Sequence, residues 1–287
     1  MNDWKYFDDW KPVRSENSNT NSWSVFEHWN PALFCETKGP DWRVFEKLDR
    51  AHSIIAVGQH EELIKLLSKW NRRLIRLGGD PTYFDWRNFR PLRLTREEDW
   101  SDWLSFLIEK SEGGVLSHFL FGQTDEPPIR YARPNRVLRE VSHGGHRADL
   151  IVEWADGTVS NVEIKIGDRN LAKTFVTARE MRSLFRKDQN EWRNFILILQ
   201  DQIPAWETLY HHVSNEPDIK MLTWEDVCIG LRRGITTNES LSWQAWCYAF
   251  LGATEQHLVK YPGYKVDACP TVCMESKIRV LSEGMKK

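Results

Sequence analysis

Asp149, Glu163 and Lys165 stand within a short stretch of 22 residues, RADLIVEWADGTVSNVEIKIGD, residues 147–168. Carboxylates are hard oxygen donors that suit Mg²⁺ or Mn²⁺, and such a cation polarises a phosphate and acidifies a water. An ammonium beside them can orient that water and offset the charge that grows on phosphate oxygens. Two carboxylates placed side by side repel each other, so a cation is their natural compensation. These residue types together fit hydrolysis of a phosphodiester.

Two strand-like runs flank Ala155-Asp156-Gly157. A three-residue hairpin loop with Gly last is a common connection, because Gly accepts the left-handed conformation needed there. With Asp156 at the loop centre, paired residue numbers sum to 312, so Asp149 lies across from Glu163. Residues directly opposite on one face have Cβ atoms roughly 4.5–5.5 Å apart. Lys165, two residues on, shares that face. Ala148, Leu150, Val152, Val162, Ile164 and Ile166 form the other, apolar face. A two-residue Asp156-Gly157 turn would instead set Asp149 across from Ile164, so the geometry rests on the loop length. An exposed cross-strand ion-pair set, Glu163 with Lys165 or Arg147, uses the same residue types. The flanking apolar strands and the registered spacing favour the metal site over it.

The arrangement Asp149, a 13-residue gap, then Glu163-Ile164-Lys165 after an apolar strand resembles the PD-(D/E)xK nucleases, the restriction-endonuclease-like superfamily. The resemblance spans roughly residues 95–235 and departs from the eponymous motif in having Ala148 where the Pro would stand. It implies an α/β fold, a central mixed β-sheet flanked by helices. It also implies a Mg²⁺- or Mn²⁺-dependent nuclease in which Asp149, Glu163 and the Ile164 carbonyl hold the metal and Lys165 assists hydrolysis. DNA is expected ahead of RNA as substrate, defence against foreign DNA in a prokaryotic setting is the suggested context, and a homo-oligomer would suit cutting of two strands. The rival reading is a catalytically silent scaffold or sensor of the same fold that binds a protein or nucleic acid. Members often add a carboxylate from the preceding helix, and Glu98 is the candidate here, with Glu109 in reserve.

Other residues could serve the same chemistry. His143 and His146 flank Gly144-Gly145 just before Asp149, where they could meet phosphate or move protons. Asp168 could support the metal or start a helix. Arg179, Arg182 and Arg186 recur three and four residues apart and could grip a phosphate backbone, as could Lys173, although a solvated basic face accounts for them equally well.

The elements that must position these residues follow from periodicity. Thr95-Arg96-Glu97-Glu98 matches a capping box ahead of the helical stripe Trp100, Trp103, Leu104, Leu107 and Ile108. Strands are expected at 137–142, 147–154 and 158–166, a helix at 170–185, strands at 195–199 and 220–223, and helices at 224–231 and 242–258. Residues 276–287 read as a basic frayed tail. Upstream, helices are expected at 41–57 and 60–77, with 14–22 a polar loop. Nine of the fifteen tryptophans fall in the first 103 residues, which predicts an aromatic-packed, mainly helical region at 1–90 that could also receive a protein partner or substrate. Residues 91–255 then form the nuclease-like domain and 256–287 an extension.

Composition bounds these readings without deciding them. A formal net charge of -2 means that any nucleic-acid surface is a local patch. No run reaches the roughly 18 apolar residues of a membrane span and the start lacks a secretory pattern, so a cytoplasmic protein with no membrane partner is expected. Five scattered cysteines suggest free thiols, and Cys269 and Cys273 lack a second pair of zinc ligands nearby.

Overall fold

The computed structural model describes residues 42–84, 86, 94–122, 133–167, 171–188, 191–211, 218–260 and 271–286. The chain divides into two units, Met1–Ser53 and Ile54–Lys287. Within the first, the described residues are the opening turns of a helix, α1 (Trp42–Leu74). The second holds everything that follows.

The hairpin that carries the acidic residues has the expected register. Strand β2 (His146–Trp154) pairs antiparallel with β3 (Val159–Ile164) through Leu150↔Val162, Ile151↔Asn161, Val152↔Ser160 and Glu153↔Val159. Each pair sums to 312. The Trp154 N–H donates to Thr158 O at 2.9 Å, closing a three-residue loop in which Gly157 has φ +84°. Asp156 braces the loop by accepting from the Thr158 backbone N–H and hydroxyl. The two-residue alternative is thereby excluded.

Strand β1 (Pro134–His143) precedes β2 and pairs antiparallel with it across Gly144-Gly145, whose φ values of +56° and +80° suit a turn twisted like the strands. After β3, helix α4 (Lys173–Phe185) crosses to the parallel strand β4 (Trp192–Ile198), and α5 (Ile203–His211) crosses to β5 (Ile219–Thr223), also parallel. The result is a five-stranded mixed sheet in the order β1-β2-β3-β4-β5. Antiparallel strands need only tight turns, whereas each parallel step needs a helical crossover.

Both faces of the sheet are covered. Leu150, Val152, Val162, Ile164, Phe195 and Leu197 join a large core with Trp70 and Leu74 of α1, Trp100 and Leu104 of α2 (Glu97–Lys110), and Leu116 of α3 (Val115–Phe121). The same core includes Val227 and Leu231 of α6 (Trp224–Ile235), Phe250 and Leu251 of α7 (Leu241–Ala253), and Val280 and Leu281 of α8 (Thr271–Gly284). On the opposite face, Phe175 and Ala178 of α4 and Trp206 of α5 pack with Ile196, Ile198 and Ile219, while Met181 packs with Ala148, Ile151, Val159 and Trp192. Ala148 thus sides with the α4 cluster, unlike the apolar residues with which alternation groups it. The core also runs across positions 90 and 255, drawing Trp70, Trp86 and α8 together with the sheet helices.

Several element readings change. The two helices expected before residue 77 are one, α1, because Gly58 continues the helix rather than ending it, and a 3₁₀ turn follows at Ile75–Leu77. The N-cap of α2 is Arg96, and Asp99, three residues on, accepts from the Arg96 and Thr95 N–H groups, so neither Thr95 nor Glu98 forms the expected capping box. The helix expected over 242–258 ends as α7 at Ala253 and passes into a π-helical turn, Thr254–Leu258. The stretch expected to be a frayed tail is α8: Lys277, Val280 and Leu281 are buried, and the Trp70 indole donates to Leu281 O at 2.9 Å. Charged neighbours such as Arg279 mask its apolar stripe in the sequence. Trp4, Trp10, Trp23 and Trp29, Cys35, Cys269 and the loop at 14–22 lie outside the described residues.

Candidate active site

The ladder between β2 and β3 stops at Leu150↔Val162, and Asp149 stands where it would continue. The next β3 donor on that side, the Ile164 N–H, is taken by the Asp149 carboxylate at 2.8 Å. One step further, the Ile166 N–H is taken by Glu97 Oε2 at 2.9 Å. Two carboxylates therefore satisfy the backbone donors that the sheet leaves behind, and this fixes both beside Glu163 and Lys165. Glu97 is the first residue of α2, so the packing of that helix on β1 and β2 sets its position.

Glu163 and Lys165 are almost entirely buried, at 4% and 5% exposure. Lys165 Nζ lies 2.9 Å from Glu163 Oε1 and 3.7 Å from Glu97 Oε1. The other Glu163 oxygen, Oε2, is buried and meets no hydrogen-bond donor among the described residues. Three carboxylates share one ammonium, and the protonation preferences reflect it. Burial, followed by the Asp149 charge, pushes the Glu163 carboxyl up to about 7. Burial also raises Asp149, against the pull of the Ile164 N–H and of Lys165 and Arg147. Burial opposes the Lys165 charge too, but Glu163, Asp149 and Glu97 outweigh it and hold the ammonium above its ordinary value.

The remaining candidates are placed as follows. Glu98 is half-exposed and points to Arg147 at 3.7 Å rather than to Lys165; the carboxylate that α2 brings to the site is its neighbour Glu97. The sequence does carry a signal for this: Glu97 lies three and seven residues before Trp100 and Leu104, at the head of the buried stripe. Glu109 is exposed at the far end of α2, paired with Lys110. His146 opens β2 with its Nδ1 buried and unmatched by a partner among the described residues, and His143 faces it across the turn, exposed. Lys173 and Arg179 are exposed on α4, and Arg182 is half-buried. Arg186 lies just beyond the helix with φ +51°. Its neighbour Lys187 reaches toward Gly157, at the loop end of the hairpin, so the structure does not bring Arg186 to the carboxylates. Asp168 lies outside the described residues.

Whether the residues suit a divalent cation can be judged from the donors. Among the described residues no three His, Cys, Asp or Glu side chains already converge as ligands. What is present is an excess of hard oxygen donors, one of them a buried oxygen with no proton to accept, and this composition fits a hard cation. Comparison of the chain with protein-family models, with curated proteins and with solved structures returned no match. Among the described residues no helix is long and apolar enough to cross a membrane.

Proposed function

We propose that this protein is a Mg²⁺- or Mn²⁺-dependent nuclease with a restriction-endonuclease-like core, acting on DNA ahead of RNA. The observation that carries the reading is the convergence of Asp149, Glu163 and Glu97 on the buried Lys165, with Glu163 Oε2 buried and without a donor among the described residues. Carboxylates gathered at a buried lysine, with a buried oxygen left without a donor, cost stability unless a ligand offsets them. The mixed sheet, with its carboxylates on the β2–β3 hairpin, also supports the core assignment.

Asp149 and Glu163 would hold the cation together with the Ile164 carbonyl, Asp149 already accepting from the N–H of that same residue. When bound, the cation supplies Lewis-acid polarisation of the phosphate and acidification of a water. Lys165 keeps a full positive charge in a place shielded from water, where it can stabilise charge that develops on a phosphate oxygen. Glu97 holds Lys165 from the other side and fixes the end of β3 through Ile166.

The test is incubation of the purified full chain with single- and double-stranded DNA and RNA in EDTA, Mg²⁺ or Mn²⁺. Cleavage is expected with metal only, and it should vanish in Asp149→Asn and in Lys165→Ala. Metal-dependent cleavage that survives both substitutions would falsify the site. No cleavage of any substrate, together with no metal-induced rise in melting temperature, would favour a silent scaffold.

A further inference from the structure

The β1–β2 ladder does not end where β3 ends. It continues through Val141↔Ala148, Ser142↔Arg147 and His143↔His146, so a two-stranded ribbon runs past the last β3 pair at the end of the sheet that holds Asp149. The ribbon is firmly built. Its Gly144-Gly145 turn matches strand twist, and Leu138 and Val141 pack on the cluster that includes Met181 of α4. Taken with the part of β1 that leads into it, its charge is opposite in sign to that of the whole chain: residues 133–148 carry four arginines, Arg133, Arg136 and Arg139 before the ribbon and Arg147 on it, against one acid, Glu140. The nearest acids on packed elements are Asp102, paired with Arg139; Glu98, beside Arg147; and Glu180, beside the Gly144 turn.

Arg147 has a particular position. It lies two residues from Asp149 and its charge is felt by that carboxylate. Its guanidinium is about half-exposed, 3.7 Å from Glu98 and 3.5 Å from Glu140, both longer than a tight charge-assisted bond. Such exposed, loose pairs contribute little to stability and exchange readily for a better partner. A phosphate diester is such a partner, because two parallel N–H groups of a guanidinium match two phosphate oxygens.

We propose that this ribbon, with the part of β1 that leads into it, is a phosphate-gripping arm, in which Arg147 holds the nucleic-acid backbone beside the carboxylates, while Arg139 and then Arg136, set further along β1 toward the hairpin loop, add to the positive field around it. Arg147 is a positioning residue: it fixes the strand and leaves the reaction to Asp149, Glu163 and Lys165. The proposal rests on the nuclease reading and names the part of the protein that meets its substrate.

The experiment uses the full chain carrying Glu163→Gln, so that nothing is cut, and measures fluorescence anisotropy of labelled duplex and single-stranded DNA across a series of NaCl concentrations. Removing one cation that neutralises a phosphate should flatten the plot of log affinity against log salt by about 0.9 for duplex and about 0.7 for single strands. Adding Arg147→Ala is expected to weaken binding roughly tenfold and flatten the slope by about that single-phosphate amount. The triple change of Arg136, Arg139 and Arg147 to Ala should flatten it further, Arg147→Lys should restore the slope, and Lys110→Ala, at the far end of α2, should change neither. Unchanged affinity and slope in Arg147→Ala and in the triple variant, while the parent still binds and wild-type protein still cleaves, would overturn the arm and leave the nuclease reading intact. If wild-type protein cleaves no nucleic acid and the parent binds none, both readings fall together.

Discussion

Among the described residues, two charge clusters reach into the core, and they are built on opposite plans. Near α6, Arg232 is fully buried between Asp80 and Glu255, at 2.8 and 2.7 Å, and Lys277 of α8 completes the set by donating to Glu255 at 2.7 Å. Two acids meet two bases there, Arg232 also lies 5.0 Å over the Trp70 ring, and the Thr82 N–H donates to Asp80. Burial penalises the Asp80 charge, yet Arg232 and Lys277 hold its carboxyl down to about 2. In the β2–β3 cluster Lys165 offsets the same physical penalty only in part: Asp149 and Glu97 add their charges, Glu163 rises to about 7, and one of its oxygens has no donor among the described residues. A balanced cluster uses its charges to join the segment after α1 to α6, the π-turn and α8. An unbalanced one retains capacity for a ligand that brings positive charge.

The largest effects are expected at the β2–β3 cluster. Glu163→Gln and Asp149→Asn should each reduce metal-dependent cleavage on the order of a thousandfold or more, equivalent to about 4 kcal/mol of lost transition-state stabilisation. Melting temperature should hold or rise in both, because like-charge repulsion is relieved; a large fall would mean that the acids are structural. Wild-type protein should melt higher with Mn²⁺ or Mg²⁺, and Glu163→Gln should lose that increment.

At the balanced cluster the expectation is the reverse. Arg232→Met strands Asp80 and Glu255 and should cost about 3–5 kcal/mol in urea unfolding. A loss under about 1 kcal/mol would remove the structural role. Acid should probe the same cluster more gently. The Asp80 carboxyl is depressed from an ordinary 3.8 to about 2, so its stabilisation is complete above pH 3.8 and is lost as pH falls through about 2, to the extent of about 2 kcal/mol. This acid limb of the urea midpoint should shrink in Arg232→Met. The smallest effect is expected at Gly157→Ala, where φ +84° disfavours a Cβ by about 1–2 kcal/mol; weakened pairing there should lower stability with a modest loss of cleavage.

Much of the acidic hairpin is legible in the sequence because its rules are local. The loop type follows from Ala155-Asp156-Gly157 and fixes the register from Leu150↔Val162 to Glu153↔Val159; beyond Leu150 the ladder stops, the strict period of two fails at Ala148, and the Asp149 carboxylate meets the Ile164 N–H. The sequence offers Glu98, with Glu109 in reserve, whereas the structure sets Glu97 beside Lys165, because neighbouring helix residues differ by about 100° in direction and only the docked helix says which one faces β3. The arginines of α4 share a helix side in sequence, yet the helix runs toward the Gly157 loop, which leaves Arg186 away from the carboxylates. Spacing alone marks Arg147 as an ion-pair partner, and only the end of the β3 ladder shows that it sits on a two-stranded arm.

By itself, then, the sequence determined the hairpin register, the mixed order of strands and helices, and the residue types of the site, all of which depend on contacts between near neighbours in the chain. Tertiary structure decided which carboxylate of α2 joins them, that residues 276–284 are a buried helix rather than a tail, and that Asp80, Arg232, Glu255 and Lys277 meet at all. Those outcomes rest on contacts between residues about twenty to just over two hundred positions apart. No local pattern encodes them, because a charge is stable in the core only beside partners that the rest of the fold brings to it.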